Sequence, residues 1–378
     1  MDRPSQQHDI SRELDAWHMA RALQLAALGR GAVEPNPLVG CVVAHGAEII
    51  GEGYHRRFGG PHAEVEALNV AGAGAVGATL YVTLEPCCHF GKTPPCTRAI
   101  LAAGIRRVVV ATIDPATHAS GGGIAELRAA GVEVEVGLMA HEARRLIAPF
   151  AKLMTTGLPW MHAKWAMTLD GKIASKTGSS HWITNEASRA VVHQLRGRMD
   201  AILVGVGTVF ADDPLLTARP PGPRTPIRIV LDSKARTPLN SQLVRTSREI
   251  PTVIVMTQHA PEDHRNSLRA AGVEVFITSE DSTNHSDLRV LLKELGNRRM
   301  TNVLVEGGGQ VLGKCLDLGL IDEVHAFIAP KLIGGVSASS PLEGQGLLDM
   351  SDALRLDPST IELLDGDVYL HGWTPRTA

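Results

Sequence analysis

The chain reads as two consecutive α/β units, and three observations carry that expectation. Strand-like and helix-like segments alternate almost from end to end, which is the sequence pattern of α/β proteins. The length of 378 residues exceeds what one core ordinarily organises, so two domains are the natural division. Near the middle, "TTGLPW" (155–160) sets Gly157 and Pro159 after a helical stretch and opens a new strand at Trp160; both residues break helices. The expected domains are 1–156 and 157–378. Apolar residues make up 44% of the chain, enough for ordinary buried cores.

The elements follow in order. Ile10 to Leu28 has the spacing of an amphipathic helix, stopped by Gly29 and Gly31. "VGCVVAHGAEIIGEGYH" predicts a hairpin with strands Val39–Val43 and Glu48–Gly53 and His45-Gly46 at the turn. A helix is expected over 62–72, a strand over 79–86, a helix over 96–104 and a strand over 106–114. The helix "IAELRAAG" and a strand over 132–137 complete the alternation, and one helix over about 140–155 leads to the boundary. In the second half, strands are expected at 160–168, 201–206, 226–232, 251–257, 273–277, 302–306 and 323–329. Helices are expected at 186–198, 262–271, 286–296 and 309–319. "ARPPGPRTP" (218–226) reads as a Pro-rich surface loop, because patterned strand follows at once. No internal repeat or low-complexity tract interrupts the pattern.

Charge and cysteine usage narrow the class. A formal charge of −3 gives no global attraction to nucleic acid or anionic membrane, and no apolar run reaches the ~18 residues of a membrane span. The N-terminal "MDRPSQQHDI" is polar and lacks the apolar core of a secretory signal. Cysteines number five, an odd count with three clustered in "EPCCHFGKTPPC" (85–96). That argues against a disulfide framework and for a reducing, cytoplasmic setting.

The cysteine cluster is the strongest chemical signal. "HAEVEAL" places His62 and Glu64 at a helix start, "TLEPC" delivers Cys87 at a strand end, and Cys96 opens another helix. A catalytic zinc takes three protein ligands of N and S type and keeps one position for water, and helix starts favour thiolates. His62, Cys87 and Cys96 make such a set, leaving Glu64 as a proton shuttle. The pattern is that of zinc deaminases bearing H-x-E and P-C-x-x-C, except that eight residues separate Cys87 from Cys96. Other readings stay open on the residues alone: a structural zinc with His89 as fourth ligand, or a redox pair of Cys87 and Cys88.

"PNPLVGCVV", "GEGYHRRFGGPHAEVEAL", "YVTLEPCCHFGKTPPC" and "ILAAGIRRVVVATIDP" resemble the deaminase half of the bifunctional riboflavin-biosynthesis deaminase/reductase family. That family has the longer cysteine loop, P-C-S-H-x-G-[RK]-T-P-P-C. The resemblance implies a cytidine-deaminase-like three-layer α/β/α domain, with one zinc on His62, Cys87 and Cys96 and with Glu64 catalytic. Cys88 stands at the family's Ser position and is a bystander. Asn36 and His55 are implied to line the pyrimidine pocket, and Lys92 suits a substrate phosphate; the bland readings are a turn residue at Asn36 and a solvated charge at Lys92. The chain departs from the family at Ala116-Thr117, where Asn-Pro is usual.

The second half has no G-x-G-x-x-G after a first strand, so its nucleotide signal is weaker. "NVLVEGGGQVLGKCL" runs strand, Gly307, Gly308, Gly309, helix, a turn that suits phosphate at a helix start but also tight packing alone. "KWAMTLDGKIA", "SHWITNEASR", "LRGRMDAILVGVGTVFADDPLLT", "PIRIVLDS", "LVEGGG" and "IDEVHAFIAPKLIGG" resemble the reductase half of the same family, with a dihydrofolate-reductase-like α/β fold. The resemblance implies NADPH contacts at Ala166, Trp182, Thr208, Asp212, Ser233, Gly308 and Gly309. It implies substrate contacts at Ser180, Arg196, Leu215, Arg219 and Glu306. Guanidinium forks suit phosphate; surface ion pairing is the plain reading of Arg196 and Arg219. After "PIRIVLDS", Lys234 and Arg236 offer charge for the 2′-phosphate of NADPH, with solvated loop charges as the alternative, and Asp232 is expected to point away along the strand. The implied substrates are phosphorylated pyrimidines, with no nucleic acid or membrane partner, and a homo-oligomer is expected. The alternative function is a single-activity zinc deaminase carrying a non-catalytic second domain.

Overall fold

The computed structural model describes residues 4–90, 94–116, 120–180, 182–357 and 359–374. The chain divides into two compact units, Met1–Thr156 and Gly157–Ala378.

The first unit runs α1 (Pro4–Ala27), β1 (Gly40–His45), β2 (Glu48–Tyr54), α2 (Ala63–Ala71), β3 (Thr79–Val82), α3 (Cys96–Ala102), β4 (Arg107–Val110), α4 (Gly122–Ala129), β5 (Glu133–Val136), α5 (Ala140–Leu146) and α6 (Ala148–Thr156). Its sheet has the order β2-β1-β3-β4-β5. β1 is antiparallel to β2 and β3, and β3, β4 and β5 are parallel. Alternate strand residues face opposite sides. Cys41, Val43, Leu80, Val82, Val108 and Val110 pack with Ala67 and Leu68 of α2, Ile100 of α3 and Leu127 of α4. Val42, Tyr81 and Val109 pack on the other face with Met19, Ala22 and Leu25 of α1 and Ala143 of α5. These are the three layers expected. Gly53 lets α2 lie on β2: a Cβ there would stand 2.5 Å from both Ala63 O and Ala67 N. That close packing fixes the start of α2, where His62 sits.

The second unit runs β6 (Trp160–Thr168), α7 (Glu186–Arg196), β7 (Ala201–Gly205), α8 (Val206–Asp212), β8 (Ile227–Leu231), α9 (Gln242–Arg245), β9 (Thr252–Thr257), α10 (Glu262–Ala270), β10 (Glu274–Thr278), α11 (Leu288–Asn297), β11 (Asn302–Val305), α12 (Gly309–Asp317), β12 (Glu323–Ala329), β13 (Ser359–Leu364) and β14 (Asp367–Trp373). The nine strands take the order β10-β9-β8-β7-β11-β6-β12-β14-β13. Strands from β10 to β12 are parallel, and β14 and β13 close the edge antiparallel. One face packs Val192 and Leu195 of α7, Val209 of α8 and Leu268 of α10; the other packs Leu288, Leu291, Leu292 and Leu295 of α11 and Leu312 of α12. Asn185 caps α7, its side chain accepting from Ser188 N. Because neighbouring strands are parallel, the loops after β6, β7, β8 and β11 leave the same edge, where open α/β sheets hold ligands.

Several expectations need correction. The helix expected over 140–155 is two helices that meet at Ile147. Pro149 lies in the first turn of α6, where its missing N–H is harmless, whereas inside one long helix its ring would clash. β3 ends at Val82, short of Pro86, because Thr83 N and Glu85 N turn to Gly40 O and Thr112 O. The first helix begins at Pro4, earlier than Ile10. Helices α8 and α9 and the β13–β14 hairpin were not anticipated. Among the described residues, no helix is long and apolar enough to cross a membrane.

Candidate active sites

In the first unit, His62 is the N-cap of α2, with extended backbone (φ −78, ψ 161), and Cys96 is the first residue of α3. His62 Nδ1 lies 3.2 Å from Cys96 Sγ and 3.5 Å from Cys87 Sγ. Cys96 N–H donates to Cys87 Sγ at 3.3 Å, which ties the Cys87 segment to the α3 start. One donor atom from each of the three residues falls within 4.8 Å of the others. Among the described residues, neither Cys88 nor His89 joins that group. Cys88 faces α4: a Cβ on Gly122 would stand 2.9 Å from its Sγ.

The hydrogen bond from Cys96 pushes the Cys87 thiol down to about 4, against the effect of burial and with help from His62. That same bond, with burial, pushes Cys96 up. Glu64, in the first turn of α2, is buried, and burial raises its pKa. Asn36 and His55 stand beside these groups. The rings of His55 and His62 are 5.5 Å apart and nearly perpendicular. His55 Nδ1–H donates to Pro61 O at 2.9 Å, so its Nε2 accepts from Asn36 Nδ2 at 3.1 Å. Burial lowers the His55 pKa and favours that neutral form. Lys92 and Thr117 lie outside the described residues; Ala116 is buried.

Sequence reading passed over Glu85. Its buried carboxylate accepts from Asp114 N, Gly121 N, Gly123 N and Ile124 N at 3.2, 2.8, 3.0 and 3.2 Å. It caps α4 and holds the adjoining chain two residues from Cys87. An acid before a proline in an otherwise apolar strand end was the available signal.

In the second unit, the implied residues gather at the carboxyl edge of the sheet. Ala166 is on β6, Thr208 and Asp212 on α8, Ser233 follows β8, and Glu306, Gly308 and Gly309 follow β11. Arg196 Nε and Nη2 donate to Glu306 Oε1 and Oε2 at 2.6 and 2.8 Å, and Nη1 donates to Thr217 O at 3.3 Å. Lys164 Nζ lies 3.6 Å from Glu306. Burial alone would raise the Glu306 pKa, but Arg196 and then Lys164 outweigh it and hold it at about 2. The fork of Arg196 is thus engaged by a carboxylate, while Arg219 is exposed. Lys164 is a charged wall residue the sequence reading missed, one alternation before Ala166 on β6.

Ser180 Oγ donates to Asp212 Oδ1 at 2.9 Å. The Arg189 guanidinium covers the Trp182 ring at 4.6 Å. Leu215 is half-buried. Ser286 N donates to Ser233 Oγ at 3.0 Å, so that hydroxyl is held inward. Asp232 is buried and accepts from Thr237 N and Oγ1 at 2.6 and 2.8 Å; Arg236 lies 3.5 Å from it. Lys234 lines a cleft of about 430 Å³ with Thr257, His259, Pro261, Glu280 and Asn284. Gly308 N–H donates to Thr208 Oγ1 at 3.4 Å. A Cβ on Gly308 or Gly207 would meet nothing within 4 Å, so both backbones are open to a bound molecule.

Comparison with known proteins agrees with this division. The family model "Cytidine and deoxycytidylate deaminase zinc-binding region" matches residues 12–112, and "RibD C-terminal domain" matches residues 159–370. The riboflavin biosynthesis protein RibD of Aquifex aeolicus is 44% identical over 360 residues, spanning 95% of this chain and 98% of that protein. Its namesake from Escherichia coli K12 is 41% identical over 370 residues, spanning 94% and 98%. Among solved structures, Acinetobacter baumannii RibD aligns with a TM-score of 0.83 at 36% identity, covering 96% of this chain and 99% of that one. A Thermotoga maritima structure described as a diaminohydroxyphosphoribosylaminopyrimidine deaminase/5-amino-6-(5-phosphoribosylamino)uracil reductase aligns at 0.82 and 35% identity, with the same coverage.

Proposed function

The chain belongs to the RibD family of bifunctional riboflavin-biosynthesis deaminase/reductases, and from that premise we propose the substrates, the cofactors and the residues of its two sites. The family match across residues 159–370 favours two activities over a lone deaminase with an inert second domain. The first reaction is hydrolytic deamination of 2,5-diamino-6-(5-phosphoribosylamino)pyrimidin-4(3H)-one. The second is reduction of the ribosyl side chain of 5-amino-6-(5-phosphoribosylamino)uracil to ribityl.

The observation that carries the deaminase reading is the convergence of His62 Nδ1, Cys87 Sγ and Cys96 Sγ beside buried Glu64. One imidazole and two thiolates are a donor set zinc accepts. A zinc ion held there supplies the Lewis acidity that makes water nucleophilic near neutral pH. Glu64 takes the water proton at its carboxylate and delivers it to the ring nitrogen and then to the leaving ammonia. Its raised pKa suits a group that must both hold and release a proton. Asn36 and His55 orient the pyrimidine, and Lys92 meets its phosphate.

In the second unit Ala166, Trp182, Thr208, Asp212, Ser233, Gly308 and Gly309 would hold NADPH at the carboxyl edge. When bound, it would supply the hydride for the sugar carbon that carries the amino group, a proton going to the ring oxygen as the ribose opens. Arg219, Ser180 and Leu215 face the substrate. Arg196 and Lys164 hold Glu306 ionised against it, a fixed polar wall that needs no reorganisation during the reaction. The cleft beside Lys234 takes the 2′-phosphate end. Homo-oligomerisation belongs to the same reading: edge strand β13 exposes Ile361 and Leu363.

The test is metal analysis of the purified chain together with two assays. One follows ammonia release from the diaminopyrimidine, and the other follows NADPH consumption on the deaminated intermediate. Zinc-free protein that still deaminates would overturn the first site. Absence of NADPH consumption by folded protein would overturn the second.

A further inference from the structure

A second cluster of ligand-type side chains lies inside the second unit, outside both sites. His162 comes from β6 and Glu323 and His325 from the adjacent parallel strand β12. Each offers one donor atom within 4.8 Å of the others. His162 Nδ1 is 3.2 Å from His325 Nε2. Glu323 Oε2 is 3.4 Å from His162 Nδ1, and Oε1 is 3.4 Å from His325 Nε2. Both imidazoles are buried, and the Glu323 carboxylate is 17% exposed.

We propose that His162, His325 and Glu323 form a second transition-metal site, suited to zinc, that ties β6 to β12. The spacing is the first argument. Donors about 2.0–2.1 Å from a tetrahedral zinc stand about 3.3–3.4 Å from one another; the two imidazole nitrogens are 3.2 Å apart, and each has its own Glu323 oxygen at 3.4 Å, Oε2 at His162 Nδ1 and Oε1 at His325 Nε2. The two Glu323 approaches are long for hydrogen bonds to a ring nitrogen, and a carboxylate with one oxygen toward each imidazole leaves either oxygen available to an ion between them.

The outer partners are the second argument. A ligating histidine directs its other ring N–H to an oxygen, which fixes the tautomer and turns the free lone pair to the ion. His162 Nε2 lies 3.1 Å from Asn302 Oδ1, and His325 Nδ1 lies 2.8 Å from the Tyr369 hydroxyl. Trp160 Nε1–H donates to Glu323 Oε2 at 3.1 Å. With both outer nitrogens donating, two imidazole lone pairs and one carboxylate face a common point. Two nitrogens and one oxygen are the ligand set of His2Glu zinc sites.

The competing arrangement is a relay without an ion. In it Tyr369 O–H donates to His325 Nδ1, His325 Nε2–H donates to His162 Nδ1, and His162 Nε2–H donates to Asn302 Oδ1. Cobalt distinguishes the two. Untagged full-length Cys87→Ser/Cys96→Ser protein, whose first site has lost its thiolates, is titrated with Co2+ and then challenged with Zn2+. The expected result is about one Co2+ per chain, with visible d–d bands, no near-ultraviolet thiolate band, and displacement by Zn2+. Glu323→Gln should abolish that binding, and Tyr369→Phe should weaken it by about 10–100-fold. No Co2+ or Zn2+ uptake by the folded double-cysteine variant would overturn the site. So would uptake that neither Glu323→Gln nor Tyr369→Phe changes. Should the double variant fail to fold, the wild type decides: a second equivalent lacking thiolate absorption supports the site, and saturation at one equivalent refutes it.

Discussion

The first unit gathers His62, Cys87 and Cys96 so that three donor atoms crowd together, an arrangement that needs a proton or a cation among them. In the second unit the charges of the proposed reductase site are already matched. Glu306 holds Arg196 in two hydrogen bonds with Lys164 nearby, Ser180 donates to Asp212, and Ser286 holds Ser233. One site is a ligand set that asks for its ion; the other is a self-satisfied polar wall against which a cofactor and a sugar can be laid. The difference teaches why loss of a donor should be fatal in the first unit, while most single changes in the second should weaken function by degrees.

The sharpest break is Cys96→Ser. It should remove zinc and deamination together while leaving NADPH consumption on the deaminated intermediate intact, as metal analysis and the two assays would report. Glu64→Gln comes next: zinc should remain and deamination fall by roughly 10²–10⁴-fold. Zinc loss in that variant would turn Glu64 into a ligand and undo the distinction. In the second unit, Glu306→Gln should cost about 3–5 kcal/mol, the scale for stranding a buried charge partner, measured by chemical denaturation. Because the folded pKa of Glu306 is held at about 2, below its ordinary 4.5, its contribution is complete above 4.5 and is lost as pH falls toward 2. The stability gap between wild type and Glu306→Gln should therefore close over that window. Lys234→Ala should lower kcat/KM for NADPH by roughly tenfold, the scale of one charge-assisted contact, with little change for NADH. An unchanged cofactor ratio would move the 2′-phosphate contact away from the cleft. Cys88→Ser should do least, keeping metal, deamination and stability within about 0.5 kcal/mol.

The parts legible in the sequence were those written in local chemistry. The apolar runs over 41–43 and 108–110 marked buried strands, and the His62, Glu64, Cys87 and Cys96 pattern needed only helix starts and a strand end to converge. What was not legible depended on partners distant in the chain. Nothing near Arg196 says that Glu306, over a hundred residues on, fills its fork. Asp232 is a local exception: the Thr237 amide and hydroxyl, a few residues on, hold it buried. The β13–β14 hairpin is a different case: Asp365-Gly366 between alternating runs is a turn signal that went unread, and the strand before it turns Ile361 and Leu363 to solvent. Helix α8 is a single short stretch that follows β7 without a loop, so its periodicity was swallowed by that of the strand.

The Glu85 clasp reaches further than capping. One amide at Asp114 and three at the start of α4 share one carboxylate, and Gly123 lies so close to Pro86 that an added Cβ would stand 1.9 Å from its carbonyl oxygen. The amides of Gly121, Gly123 and Ile124 exchange with solvent deuterium when the Glu85 carboxylate lets go. Their exchange should therefore report how firmly the chain two residues from Cys87 is clasped, read at peptide groups outside the His62, Cys87 and Cys96 set.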